Sequence, residues 1–297
     1  MLRKHAFTLV ELLVVITIIA LLIALLIPSL GKAEEEALST SCMSNLREIA
    51  QADLAYKGDN QGMNFAYGYE FEWYSTTPAI DYDMGWTRLL APYLVGRQSI
   101  PDLHGTSYLS EPSGVLAVLT CPATTNLPAV PGSWGPGSAT KAWRQWNEQG
   151  ISGGYIGSYG FNGWMYRPLN NHQALHSYIC SAMNTYQAPY STSSYFWRND
   201  QLNSSVPMFG DCVWLDSFPL WNDPVPASLL GKYMSNMPTP FQAGVGTGMM
   251  QTFCIDRHGM AINLVFADGH GQHVPLTSLW KLRWTPNWQP KNVVMPQ

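Results

Sequence analysis

Between Leu12 and Ile27 every position is Leu, Ile or Val except Thr17, Ala20 and Ala24. A segment apolar on all sides predicts a helix surrounded by lipid or by other protein. From Phe7 to Leu30 it is long enough to cross a hydrocarbon layer of ~30 Å. Beyond Pro28 the pattern narrows. Leu30, Ala33, Ala37, Leu38, Leu46, Ile49, Ala50 and Leu54 recur mostly at three- and four-residue steps, the signature of one helical face. Glu34, Glu35 and Glu36 sit on or near the opposite face, with Arg47 and Glu48 further on. Gly58-Asp59-Asn60 supplies stop signals. A single helix over residues 7–57 would be roughly 75 Å long at ~1.5 Å per residue. Less than half of that fits in a membrane, so the second half must pack on the body, and Pro28 and Gly31 should loosen or bend it.

After Gly58 helical periodicity is scarce. Met84–Leu94 predicts a short helix ended by Pro92, and Val115–Leu119 predicts a buried strand. "GGYIGSYGFNGWMY" (153–166) reads as strand or loop, weakened as a strand by its glycines. Residues 204–218 contain a strand, and 219–250, rich in Pro, Met and Gly, read as a long loop. Ile262, Leu264 and Phe266 alternate with Asn263, Val265 and Ala267. Asp268-Gly269 then predicts a two-residue hairpin turn, with His270–Val274 as the return strand. The expected fold class is α+β: a long N-terminal helix packed on an antiparallel β-sheet head with long loops.

Charge sharpens the reading of the first segment. Arg3 and Lys4 precede the apolar run, which places its start in the cytoplasm and exports the body. Glu11 is the one acid in the run. The apolar residues from Leu12 to Ile27 contribute about −4 to −8 kcal/mol on an insertion scale and one acid costs about +3, so the segment inserts with its carboxylate. An ordinary anchor with Glu11 snorkelling to the headgroups fits these facts. So does a secretory signal peptide cut near Gly31-Lys32-Ala33, although the run exceeds the usual ~7–15 residues. The net charge of −4 and the lack of a long basic patch argue against nucleic acid as a partner.

"FTLVELLVVITIIALLIALLIPSL" resembles the shared N-terminal segment of type IV pilins and type II secretion pseudopilins. The resemblance implies a membrane peptidase that cuts between Ala6 and Phe7 and methylates the new amine. Glu11 then becomes the fifth residue of the mature chain, where the family carries its acid, and Pro28 falls where many pilins have a helix-loosening proline. The family normally has Gly before the cut; Ala6 is also small, so processing is expected. The freed amine would pair with Glu11 in the same or a neighbouring chain, setting the stagger between subunits. "CMSNLREIAQADLAYKGDNQG" and the C-terminal His258, nine residues, then Asp268-Gly269 resemble a sub-family of large pilin-like proteins. The resemblance implies no role for that signature.

Candidate chemistry is thin. His258 and Asp268 would lie at opposite ends of one strand, about 33 Å apart, so they cannot share a site. Asp268 reads as a turn residue and His258 as a brace at the start of the strand. In a two-residue hairpin His270 would face Ala267 and His273 would face Leu264, so the two imidazoles point to opposite faces. A site built from Asp211, Asp256, His258 and residues from elsewhere stays open. The resemblance to pseudopilins brings in the calcium-binding C-terminal loop of one class of them, but no run of closely spaced carboxylates here matches it, which argues against calcium. The five cysteines, at 42, 121, 180, 212 and 254, form no CxxC pair, and one or two disulfides are plausible outside the cytoplasm. No nucleophile elbow is present, and "GVGTG" (244–248) lacks a following Lys. Trp143, Trp146, Trp164, Trp197, Trp214 and Trp221 are either core residues or an exposed platform for a sugar or protein, with "KAWRQWNEQG" (141–150) the best exposed stretch.

The expected organisation is a leader at 1–6, a helix at 7–57 with 7–30 in the membrane, and an exported head at 58–297. The expected protein is a structural, non-enzymatic subunit with no cofactor and no metal. It sits in the inner membrane with its head outside the cytoplasm. Its partners are the prepilin peptidase/methyltransferase, other pilin-like subunits and the bilayer. The alternative is a membrane-anchored surface binding module, for glycans or a protein partner, that does not polymerise.

Overall fold

A computed structural model describes residues 9–67, 86–94, 117–125, 137–146, 154–168, 195–229 and 249–296. Helix α1 runs unbroken over Leu9–Asp59, 51 residues, or about 76 Å at ~1.5 Å per residue. Pro28 and Gly31 lie inside it. Proline removes one i→i−4 hydrogen bond. Beside it the Ser29 hydroxyl donates to the Leu26 carbonyl at 2.8 Å.

The remaining elements, in chain order, are β1 (Ala66–Tyr67), α2 (Trp86–Leu94), β2 (Trp143–Trp146), β3 (Gly154–Gly157), β4 (Tyr159–Asn162), β5 (Arg167–Pro168), β6 (Pro207–Asp211), β7 (Asp216–Ser217), β8 (Ala261–Phe266) and β9 (Gly271–Pro275). The main sheet has the order β7-β4-β6-β8-β9. Its β4–β7 pair is parallel and its other pairs are antiparallel. The architecture is therefore α+β, a long apolar helix on a mixed, mostly antiparallel sheet.

Both faces of that sheet are covered. On one, Leu46 and Ile49 of α1 join Trp86, Phe161, Phe209 and Val265 in one buried layer. On the other, Ile262, Leu264 and Phe266 pack with Phe253 and with Trp280 and Trp284 of the C-terminal segment. This is why β8, which alternates apolar and polar residues in sequence, is buried at all six positions. Asn263 faces α1 and spends its amide there, donating to the Ser39 carbonyl at 2.8 Å. Burying that amide is tolerable because it is hydrogen-bonded.

Several local expectations are corrected. Pro92 lies within α2 and does not end it; in the last turn its missing N–H removes only one bond. Residues 117–119 form a helical turn, where a strand was expected. The glycine-rich stretch does form strands, because close packing requires its glycines. A Cβ on Gly157 would clash with the Trp143 ring directly across β2–β3. The hairpin forms, but with a shifted register. Val265 pairs with Gly271 and Asn263 with His273, so Ala267-Asp268-Gly269 is a three-residue loop. Gly269 adopts φ +87, the left-handed residue that such loops need. The "GVGTG" stretch, most of the 219–250 loop and Cys180 lie outside the described residues.

Candidate functional site

Two regions carry the candidate residues. The first is the outer half of α1. Every Leu, Ile and Val from Leu9 to Leu30 is exposed, from 44% at Val15 to 81% at Leu9. This stretch is long and apolar enough to cross a membrane. Glu11 lies in its first turn. Ala6 and Phe7 lie outside the described residues. The buried positions of α1 begin only at Cys42 and continue through Leu46, Ile49, Ala50, Ala52 and Asp53. One helix thus has an uncovered apolar half and a half docked on the head.

The second region lies where α1 crosses the sheet. Asp211 ends β6, and its carboxylate is fully buried. Arg257 donates from Nη1 to Asp211 Oδ1 at 3.0 Å, and the Asn263 backbone N–H donates to Oδ2 at 2.8 Å. Arg257 is itself held by the carbonyls of Ser138, Ala139 and Ser158. His258 follows it into a tight turn before β8, in which Gly259 and Met260 are both left-handed (φ +66 and +60). Asp256 Oδ1 accepts the Met260 N–H at 2.6 Å and stabilises that turn. The His258 ring points inward. Its Nε2 lies 3.3 Å from Asp211 Oδ2 and 3.6 Å from Cys121 Sγ. Cys42 Sγ approaches from α1, 3.3 and 3.5 Å from the two Asp211 oxygens.

Electrostatics link these groups. Burial pushes the Cys42 thiol well above its ordinary range. The contact with Cys42 draws Cys121 down to about 6 against its own burial, with His258 adding to the effect. Burial opposes a charged His258, but Asp211 and Cys121 together raise the imidazole to about 9. Burial likewise opposes the Asp211 carboxylate, which His258 and Arg257 nevertheless hold below the usual range. A thiol beside an imidazole can serve as a nucleophile. Here Cys42, Cys121 and Asp211 have no solvent exposure and His258 only 3%, so a substrate has no access. The same donor set is of the type that holds a metal ion.

The structure sorts the other candidates. His258 and Asp268 lie at opposite ends of β8. Asp268 is exposed in the hairpin loop, where it accepts from the His270 N–H at 3.1 Å and contacts His270 Nδ1 at 2.6 Å. His270 stacks on Phe266 with ring centroids 4.4 Å apart, and His273 contacts Asn263 Oδ1 at 3.1 Å. Asp256 is spent on its own turn. Of that proposed trio, only Asp211 and His258 meet. The four described cysteines are free thiols. Trp143, Trp164 and Trp197 are core residues, each with its indole N–H donated to a backbone carbonyl. Trp143 therefore cannot form an exposed platform, and the Trp146 side chain lies outside the described residues. Trp221 is 36% exposed. Sequence reasoning passed over Cys42 and Cys121 as site residues, because neither lies near another ligand in sequence.

Comparison with known proteins decides the first region. Residues 1–27 match the prokaryotic N-terminal methylation motif. The chain thus has a type IV pilin- or pseudopilin-like N-terminus. The methylation motif implies a prepilin-like subunit, processed by a prepilin peptidase, and with the apolar N-terminal helix it suggests a membrane-anchored extracytoplasmic protein. Pilin-like proteins are generally non-enzymatic. Neither a curated protein nor a solved structure matches the chain.

Proposed function

We propose that this protein is a structural subunit of a type IV pilus-like filament or a type II secretion pseudopilus. It is cut between Ala6 and Phe7 and assembled through α1. The observation that carries this reading is the uncovered apolar half of α1, continuous with the half docked on the head. That surface needs lipid or other helices around it, and a filament of like chains supplies helices once the subunit leaves the bilayer. Between apolar helices the attraction comes from packing and polar pairs, since lipid already solvates the side chains. Cleavage would create a positive amine at Phe7, and Glu11 in the same apolar stretch is its natural partner. Pairing across chains fixes axial register more than it adds stability. Under this reading the leader spans 1–6, the membrane segment 7–30 and the exported head 58–297.

Intact-mass analysis of membrane-extracted protein tests the processing. The expected species begins at N-methylated Phe7; a chain starting at Met1 or near Glu34 refutes it. Glu11→Ala should leave the protein in the membrane but remove it from sheared filaments. Normal filament incorporation of that variant would show that the pairing is not needed.

A further inference from the structure

We propose that Cys42, Cys121, Asp211 and His258 form a closed, four-ligand site for a thiophilic divalent cation, with Zn²⁺ the best fit, that fastens the stalk helix to the head. The four ligating atoms all lie within 4.8 Å of one another. Metal–sulfur bonds of ~2.3 Å and metal–nitrogen or metal–oxygen bonds of ~2.0–2.1 Å set tetrahedral ligand–ligand edges of about 3.3–3.8 Å. With Oδ2 as the Asp211 ligand atom, the Cys42–Asp211, Cys121–His258 and His258–Asp211 separations are 3.5, 3.6 and 3.3 Å.

A hydrogen-bonded network is the competing account of the same atoms, and its geometry is poor. A charge-assisted N–H···O bond spans about 2.7–2.9 Å. His258 Nε2 carries at most one hydrogen, yet it lies between two acceptors at 3.3 and 3.6 Å and is close to neither. Cys42 Sγ is nearly equidistant from both carboxylate oxygens. The polar atoms thus aim at a common centre more than at one another.

Charge and support point the same way. Two thiolates and one carboxylate are balanced by the Arg257 guanidinium together with a divalent cation, the imidazole being neutral, so the buried group carries no net charge. Binding displaces two protons to solvent, leaving both sulfurs as thiolates and the imidazole neutral. The carboxylate is already oriented by Arg257 and the Asn263 N–H, as supporting groups around a ligand usually are. Two sulfurs, one imidazole and one carboxylate favour zinc over calcium or magnesium. With four buried protein ligands, the ion has a structural role and leaves no open position for catalysis.

The consequence is mechanical. Cys42 lies on α1, Cys121 follows the 117–119 turn, Asp211 ends β6 and His258 precedes β8. One ion would join the helix to three separate segments of the head, at the first buried position of α1.

The test uses the full chain purified in detergent without chelator or reductant. Elemental analysis should find about one zinc per chain. Replacement by Co²⁺ should give the intense visible bands of tetrahedral thiolate-ligated cobalt. The double variant Cys42→Ser/Cys121→Ser should lose the ion at least tenfold, while Cys254→Ser, whose thiol lies outside the cluster, should keep it. Three results overturn the proposal: metal-free folded wild type that takes up no cobalt, an ion retained in the double variant, or a Cys42–Cys121 disulfide in non-reduced peptide maps. The cobalt spectrum and the disulfide map are read on wild type, so they decide the matter even if the double variant fails to fold.

Discussion

Asp223 offers a quantitative test of how the C-terminal layer is built. It is 3% exposed and lies beside Trp280, whose indole N–H donates to its backbone carbonyl at 3.0 Å. Its side-chain Oδ2 accepts from the N–H groups of Leu220 and Met250 at 2.9 and 2.8 Å. Burial outweighs these donors and raises the carboxyl from 3.8 to about 6. The folded state therefore holds the proton more tightly than the unfolded chain does. The stabilisation this provides is complete below pH 3.8 and is lost as the pH rises through about 6. A difference of this size is worth about 3 kcal/mol between the two ends of that window. Asp223→Asn retains an oxygen for both N–H groups and cannot ionise. Denaturant titrations of the detergent-solubilised chain, followed by tryptophan fluorescence from pH 4 to 8, compare the two proteins. Every other titrating group is common to both, so the gap between the curves isolates Asp223. Relative to the variant, wild type should lose about 2 kcal/mol between pH 4 and pH 8. Parallel curves would refute the argument that burial dominates this carboxyl.

Three further substitutions probe the packing. Gly269→Ala meets nothing closer than Leu54 Cδ1 at 3.7 Å, so its cost is confined to the backbone at φ +87; thermal unfolding should show a loss of about 1–2 kcal/mol. Gly157→Ala drives a methyl into the Trp143 ring and should cost about 1–3 kcal/mol by denaturant titration, whereas an exposed Trp143 would make it neutral. Leu46→Ala opens a cavity under the stalk and should cost about 2–5 kcal/mol, with faster proteolysis of the helix–head junction as a second readout.

The chain is legible in its sequence where structure depends on neighbours a few residues away. The run from Leu12 to Ile27 is a membrane-type helix whatever follows it, because each backbone group is satisfied within the helix itself. The stripe through Leu46, Ile49 and Ala50 announces a docked face, and those residues are buried. The hairpin after Phe266 is visible from its alternation and its Asp-Gly. Its register is not, because two- and three-residue loops use the same Gly and differ only in how Phe266 and His270 pair. A shift of one residue sets Asn263 opposite His273 in place of Leu264.

Tertiary structure alone decided the rest. Gly154–Gly157 and Tyr159–Asn162 become strands because Trp143 packs over Gly157, and Cys212 and the Trp214 carbonyl over Gly160, in the space that side chains would have taken. Trp143 looks exposed beside its charged neighbours and is instead sealed, since the interior offered its indole the Tyr159 carbonyl at 3.0 Å. Cys42, Cys121, Asp211 and His258 are separated by long stretches of chain, and no local pattern relates them. They meet because α1 is laid across one face of a sheet whose strand order differs from the order in the sequence. Short-range periodicity and charge thus wrote the helix, the membrane segment and the turn, while strand pairing and the docking of α1 on the sheet gathered the buried polar cluster.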